Sequence, residues 1–263
     1  MLQQPYKATE SGHEGEVPPD SIVFEMFVSA DVSNTVFAIV RDPDAAADKN
    51  LFPKKANVHI VKGNVTEPAS ILAAAKAIGT INNGSLDVLI HNANAMDMDG
   101  MALKPSQFSL DLEATEKAFH LTLLTGVYGS LWATNAFLPL IENGNEKKII
   151  HISSLMAATD AILQSGIDYG LPYSVAKAGM NVQVAKYAVE LAPKGIKVLA
   201  MSPGSMPVEI QSAMLRQFQR VDPKVTGQIT PQESVKKQLD VISRLDSTMS
   251  GTFVSHNGNQ EWF

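Results

Sequence analysis

Short aliphatic runs alternate along this chain with stretches of helical spacing, and that alternation constrains the fold more than any other feature. Thr35–Val40 (TVFAIV), Val58–Val61 (VHIV), Leu86–Ile90 (LDVLI), Lys148–Ile152 (KIIHI) and Lys197–Met201 (KVLAM) have strand length, and Thr252–Val254 supplies a further short run. Between them, Glu67–Ile78, Phe108–Asn143 and Tyr173–Leu191 place apolar residues at helical intervals. Strands that are apolar throughout must be covered on both faces, and parallel strands need a crossover between them. The order therefore predicts an α/β fold, a single doubly wound parallel sheet with helices on both faces. A chain of 263 residues, 45% of them hydrophobic, can build this as one domain. Residues 1–20 are polar and carry Gly and Pro, and read as a flexible N-terminal arm; 21–263 read as the domain.

Composition removes several function classes. The absence of cysteine excludes a disulfide framework, a thiolate nucleophile and Cys-ligated metal. The six histidines show no HxxxH or HExxH spacing, so no metal site is expected. Lys and Arg number 21 against 27 Asp and Glu, and no basic tract occurs, so no nucleic-acid partner is expected. Leu121–Ile141 is an uncharged run long enough to span a bilayer, but its Thr, Ser130, Asn135 and Pro139 argue for a helix packed inside a protein. With no apolar leader in residues 1–20, the expected location is cytoplasmic, with no membrane partner.

Tyr173-Ser-Val-Ala-Lys177 is the strongest chemical signal. At i and i+4 on a helix the phenol and the ammonium share one face. An ammonium beside a phenol favours the phenolate, which would lower its pKa and fit it for proton transfer near neutrality. Upstream, the Lys148–Ile152 strand runs into Ser153-Ser154, and the LDVLI strand into His91-Asn92-Ala93-Asn94; downstream, the KVLAM strand runs into Ser202-Pro203-Gly204. Taken together and in this order, these features resemble the short-chain dehydrogenase/reductase family over residues 35–258, and are similar to its fungal norsolorinic acid ketoreductase-like members. The resemblance implies a Rossmann-like fold and an NADPH-dependent oxidoreductase reducing a carbonyl on a lipophilic secondary metabolite. It assigns Tyr173 as general acid/base, Lys177 as the residue that lowers its pKa and holds the nicotinamide ribose, and Ser154 as the hydrogen-bond donor to the substrate carbonyl. It places Asn92 and Ala93 beside the adenosine ribose, Asn64 near the adenine, and Pro203 and Gly204 along the nicotinamide. Arg41, at the end of its strand, could pair with a 2′-phosphate and favour NADP(H).

The chain also departs from that pattern. The family's TGxxxGxG turn, whose backbone N–H groups hold the pyrophosphate, has no counterpart, since no glycine lies between Glu16 and Lys62. A first strand near Ser21–Phe24 would leave room for only a truncated first βα unit. Leu123 stands where the family's helix has asparagine. These changes predict weak or lost NADP(H) binding. They raise two alternatives: a cofactor-independent cyclase or isomerase using Ser154, Tyr173 and Lys177, or an inactive relic. Ile210, Met214, Leu215 and Phe218 have the spacing of a lid helix, and with Met96, Met98, Met101 and Met156 could form an adaptable apolar pocket. The resemblance further implies a homodimer or homotetramer through Phe108–Asn143 and Tyr173–Leu191, with Trp132 and Phe137 expected at the contact.

Overall fold

A computed structural model of the chain describes residues 29–48, 52, 55–204 and 229–262. Six strands are present among them: β1 (Val36–Val40), β2 (Val58–Lys62), β3 (Val88–His91), β4 (Lys148–Ile152), β5 (Lys197–Ser202) and β6 (Phe253–Ser255). Each falls on an aliphatic run of the sequence, and every pairing is parallel. β4 is central, with all of its residues buried, and sets Ile150 between Ile90 and Leu199.

The two faces carry two cores, as the period-two geometry of a strand demands. Phe37, Ile39, Leu89, Ile149 and Val198 point to one core, which they share with Phe137 and Leu191. Ala38, Val40, Ile150, Leu199 and Met201 point to the other, with Val235 and Ile242. The result is a three-layer, Rossmann-like α/β fold.

Hydrogen bonding among the described residues pairs the strands in the orders β1-β2 and β3-β4-β5-β6. Among the described residues no strand lies between β1 and β3. Both cores run across both groups of strands, which form one layer. The strand expected near Ser21–Phe24, the truncated first unit and the arm lie outside the described residues. The lid residues Ile210, Met214, Leu215 and Phe218 do so as well.

The helices are α1 (Pro43–Asp48), α2 (Pro68–Ile81), α3 (Met98–Ala102), α4 (Leu112–Leu123), α5 (Gly129–Asn143), α6 (Thr159–Ser165), α7 (Leu171–Leu191) and α8 (Pro231–Ser243). Proline at the start of α2 costs nothing, because its missing N–H would have had no helical partner. Ile71, Ala74, Ala75 and Ile78 then form its buried face. The stretch read as one helix over Phe108–Asn143 is interrupted: a π-helical turn, Leu124–Tyr128, joins α4 to α5. Space is tight beside that turn, where a Cβ at Gly129 would stand 3.0 Å from the Val65 carbonyl. No helix among the described residues is long and apolar enough to cross a membrane. The uncharged run instead buries Phe137 and Ile141 completely against the sheet.

Candidate active site

The carboxyl ends of the strands bring the candidate residues to one side of the sheet, where open α/β folds bind ligands. Ser154 follows β4 and caps a short 3-10 turn, Leu155–Ala157, its hydroxyl accepting from the Met156 N–H at 3.2 Å. Tyr173 lies in the first turn of α7, and Lys177 one turn further on. The lysine Nζ stands 5.6 Å from the centroid of the Tyr173 ring. It donates a 2.7 Å hydrogen bond to the Ile152 carbonyl at the end of β4. The Ser154 hydroxyl lies beside the Tyr173 phenol and favours its ionised form. Serine, phenol and ammonium thus converge, although they come from two elements distant in sequence.

Their electrostatics correct the simple expectation. Burial raises the Tyr173 pKa above its ordinary value of 10, and the Ser154 hydroxyl recovers part of that rise. Burial also takes Lys177 down, from 10.5 to about 7. Desolvation penalises whichever form carries charge, phenolate or ammonium, and here it outweighs the attraction between the two. Tyr173 therefore rests as a protonated phenol, fit to donate, and Lys177 is poised near neutrality.

The remaining candidates surround this centre. Asn92 and Ala93 follow β3, with Ala93 buried. Pro203 and Gly204 follow β5; the Pro203 carbonyl accepts from the Ser234 hydroxyl at 2.6 Å. Gly204 has φ +73°, and a Cβ there would strike the His256 ring, so glycine is required twice over. Arg41 is exposed just past β1, with no hydrogen bond or ion pair among the described residues. Asn64 is committed locally: its amide oxygen accepts from the Thr66 N–H and hydroxyl, and its amide nitrogen donates to Glu67. An adenine contact would have to share that oxygen. Leu123 closes α4 and offers no polar atom. Of the methionines expected around a pocket, Met101 and Met156 both lie against Gly170, directly before α7.

Several contributors escape a motif search. Thr125, inside the π turn, accepts from the Ala95 N–H at 3.0 Å and donates to the Leu121 carbonyl at 2.9 Å, fixing the loop after β3. Ser202 accepts from the Leu155 N–H at 3.1 Å, tying β5 to the Ser154 turn. The Ser153 hydroxyl donates to Asn181 on α7 at 2.7 Å. No linear spacing announces these pairs, because each joins separate strands and helices.

The family model described as enoyl-(acyl carrier protein) reductase matches residues 32–254. The short-chain dehydrogenase/reductase atnB of Arthrinium sp is 34% identical over 91% of this chain and 94% of its own length. This chain belongs to the short-chain dehydrogenase/reductase family. Another member, AacuF of Aspergillus aculeatus, is 35% identical over 89% of this chain and 92% of its own. Among solved structures, an NADPH-bound carbonyl reductase from chicken fatty liver is 26% identical, covering 91% of this chain and 92% of its own, with a TM-score of 0.72. As a family member the chain is an oxidoreductase by descent, and the family's nicotinamide dinucleotide is the cofactor against which its site is to be tested.

Tested against that cofactor, the described residues fit its nicotinamide end. A buried lysine beside a phenol, and a left-handed glycine that leaves room past β5, suit a ribose and a flat ring. The Arg41 guanidinium, exposed and without a partner among the described residues, suits a phosphate.

Proposed function

We propose that the chain is an NADPH-dependent ketoreductase acting on a bulky, lipophilic carbonyl compound of secondary metabolism. The observation that carries this reading is the convergence of Ser154, Tyr173 and Lys177 at the carboxyl end of β4. The cofactor, when bound, supplies hydride. Ser154 donates a hydrogen bond that orients the substrate carbonyl, and Tyr173, held protonated by burial, gives its proton to the oxygen as negative charge develops there. Lys177 holds the ribose and stabilises the phenolate that remains. Asn92, Ala93, Pro203 and Gly204 line the dinucleotide path, Asn64 borders the adenine, and Arg41 sets the preference for the 2′-phosphate. The Met101–Met156–Gly170 contact forms one wall of the substrate pocket, where polarizable, unbranched side chains adapt to large apolar ligands.

The glycine-poor N-terminal region sets the cofactor affinity in this reading. Losing two charge-assisted N–H bonds to a pyrophosphate costs about 3–6 kcal/mol, on the order of 10²–10⁴ in affinity. The chain therefore binds NADPH weakly, in the millimolar range, and NADH more weakly still. Titration calorimetry with both dinucleotides, with NADPH oxidation followed against a panel of aromatic ketones and quinones, tests the proposal. Ketone-dependent NADPH oxidation supports it. Turnover of a carbonyl substrate in cofactor-free buffer would replace it with proton-transfer chemistry on the same three residues.

A further inference from the structure

The loop between Ser154 and α7 carries a small core of its own, separate from the two cores of the sheet. Leu155, Met156, Ala161 and Ile167 are buried in it. Tyr173 packs against this cluster from α7, and Phe253 and Trp262 pack against it from β6 and the C-terminal tail. The general acid and the tail thus bear on one cluster, although they stand far apart in the chain.

Within this loop, α6 has little to hold it by itself. Seven residues are too few for an independently stable helix. Its N-cap is Ala158, which offers no side-chain acceptor to the first turn. Trp262 reaches that turn from elsewhere: its indole Nε1 donates to Asp160 Oδ2 at 3.3 Å. The same ring lies on Phe253, with centroids 4.6 Å apart and planes at 31°. Tryptophan presents a large apolar face and one donor, so it can pack and point at once. The packing outweighs the hydrogen bond here, because Asp160 is exposed and water competes for it.

The tail is shaped to deliver that ring. Gly258, at φ +79°, turns the chain after β6. The Ser255 N–H donates to the Asn259 carbonyl at 2.6 Å, and Arg244, just past α8, donates to the Asn257 carbonyl at 2.8 Å. The Asn259 side-chain oxygen accepts from the Ser255 hydroxyl at 2.7 Å and from the Glu261 N–H at 3.2 Å. The path is therefore fixed before Trp262 is reached. On the other side of the contact, α6 follows the Leu155–Ala157 turn with only Ala158 between them, and Ser154 caps that turn. A shift of α6 is passed to Ser154 through the backbone of residues 155–158.

We propose that Trp262 is a positioning residue of the carbonyl site: the C-terminal tail clasps α6 and so fixes the turn that aims Ser154 at the substrate oxygen beside Tyr173. The inference rests on the reading that Ser154 and Tyr173 act on a carbonyl.

The test measures NADPH-dependent turnover of the aromatic ketone panel by Trp262→Ala, Ser154→Ala and the double variant. Trp262→Ala should lower kcat about tenfold or more, the scale on which small misplacements act, with KM for NADPH unchanged. In the Ser154→Ala background the same change should cost nothing further, because the hydroxyl it positions is gone. Trp262→Phe keeps a ring on Phe253 and should recover most of the loss. Trp262→Leu takes the place of Trp262→Ala, with the same expectations, where the alanine variant does not fold. An unchanged kcat, an equal fall in both backgrounds, or no recovery with phenylalanine would overturn the clasp and leave the reductase reading intact. No ketone turnover by the unsubstituted chain would overturn the reductase reading and the positioning role together. Hydrogen exchange tests the clasp without turnover. Amides of residues 155–165 should exchange faster in Trp262→Ala while those of α8 do not change, and equal exchange in both proteins would overturn it.

Discussion

Burial shapes the proton chemistry of individual residues here more than neighbouring charge does. Tyr173 sits one helical turn from Lys177, yet its pKa rises, while Lys177 falls to about 7. The i, i+4 pairing was legible in the sequence because it is a property of one helix. The shift was not, because the carbonyl that holds Lys177 and the surfaces that desolvate it come from β4 and its neighbours. Two expectations follow. Tyr173→Phe should lower ketone turnover by about 10²–10⁴, the span of a positioned acid, with little change in thermal stability. Lys177→Met should also abolish turnover, but it should raise stability. The folded pKa of this lysine lies below its unfolded value of 10.5, so the unfolded chain binds more protons between about pH 7 and 10.5, and stability rises with pH across that window. At pH 7 nearly the full penalty of the buried amine is present, and removing it should add about 1–3 kcal/mol even after the bond to Ile152 is lost. Above pH 10.5 the gain should vanish. Denaturant melts of both proteins at pH 7 and 10.5 check the sign.

Elements were more legible than their interruptions. Each strand could be placed because a run such as KIIHI, buried on both faces, leaves little choice of structure. The π turn at Leu124–Tyr128 was hidden, since LTGVYGS reads as an ordinary apolar helix, and what displaces the ladder is contact with other elements. Gly129 lies against the Val65 carbonyl and Gly126 against Ala176, while the Thr125 hydroxyl reaches Ala95 in the loop after β3. That last bond is the route by which the turn positions the loop carrying Asn92 and Ala93. Thr125→Val is close in volume but strands the Ala95 N–H. It should cost about 1 kcal/mol of stability, the net worth of a hydrogen bond to a half-buried donor. Because the loop borders the proposed cofactor site, KM for NADPH should rise more than kcat falls. Equal stability and unchanged KM would show that the turn does not position the loop.

At the scale of the molecule, the order of strands and helices was enough to give the layered fold and its two cores. Assembly is corrected in one respect: Phe137, expected at a subunit contact, is wholly inside the monomer. The exposed apolar stripe is instead Val175, Val182 and Val189 on α7, spaced by seven residues and 43%, 61% and 80% exposed, with Tyr128 also exposed at 50%. Residues seven apart stay on one helix face, and such a stripe suits a self-complementary dimer. The chain should sediment as a dimer or larger oligomer, and Val182→Lys combined with Val189→Lys as a monomer. Acid stability is also a property of the whole core, because both buried histidines would have to charge inside it. His151 is held at about 3 and His91 well below 6.5, chiefly by burial. Their unfolded values near 6.5 mean that the unfolded chain binds more protons below that pH, so stability is complete above 6.5 and is lost as pH falls toward the folded values. Both groups therefore act in the same direction, each lowering stability as pH falls below 6.5. The exposed carboxylates with lowered pKa values, Asp31, Glu146, Glu233 and Asp246, begin from ordinary values of 3.8 to 4.5 and lose their contribution mainly below this window. Denaturant midpoints measured at intervals from pH 7 to 4.5 should therefore fall, and His151→Phe should make the fall shallower. A flat profile over that range would mean that water reaches both rings freely enough to let them charge in the folded protein.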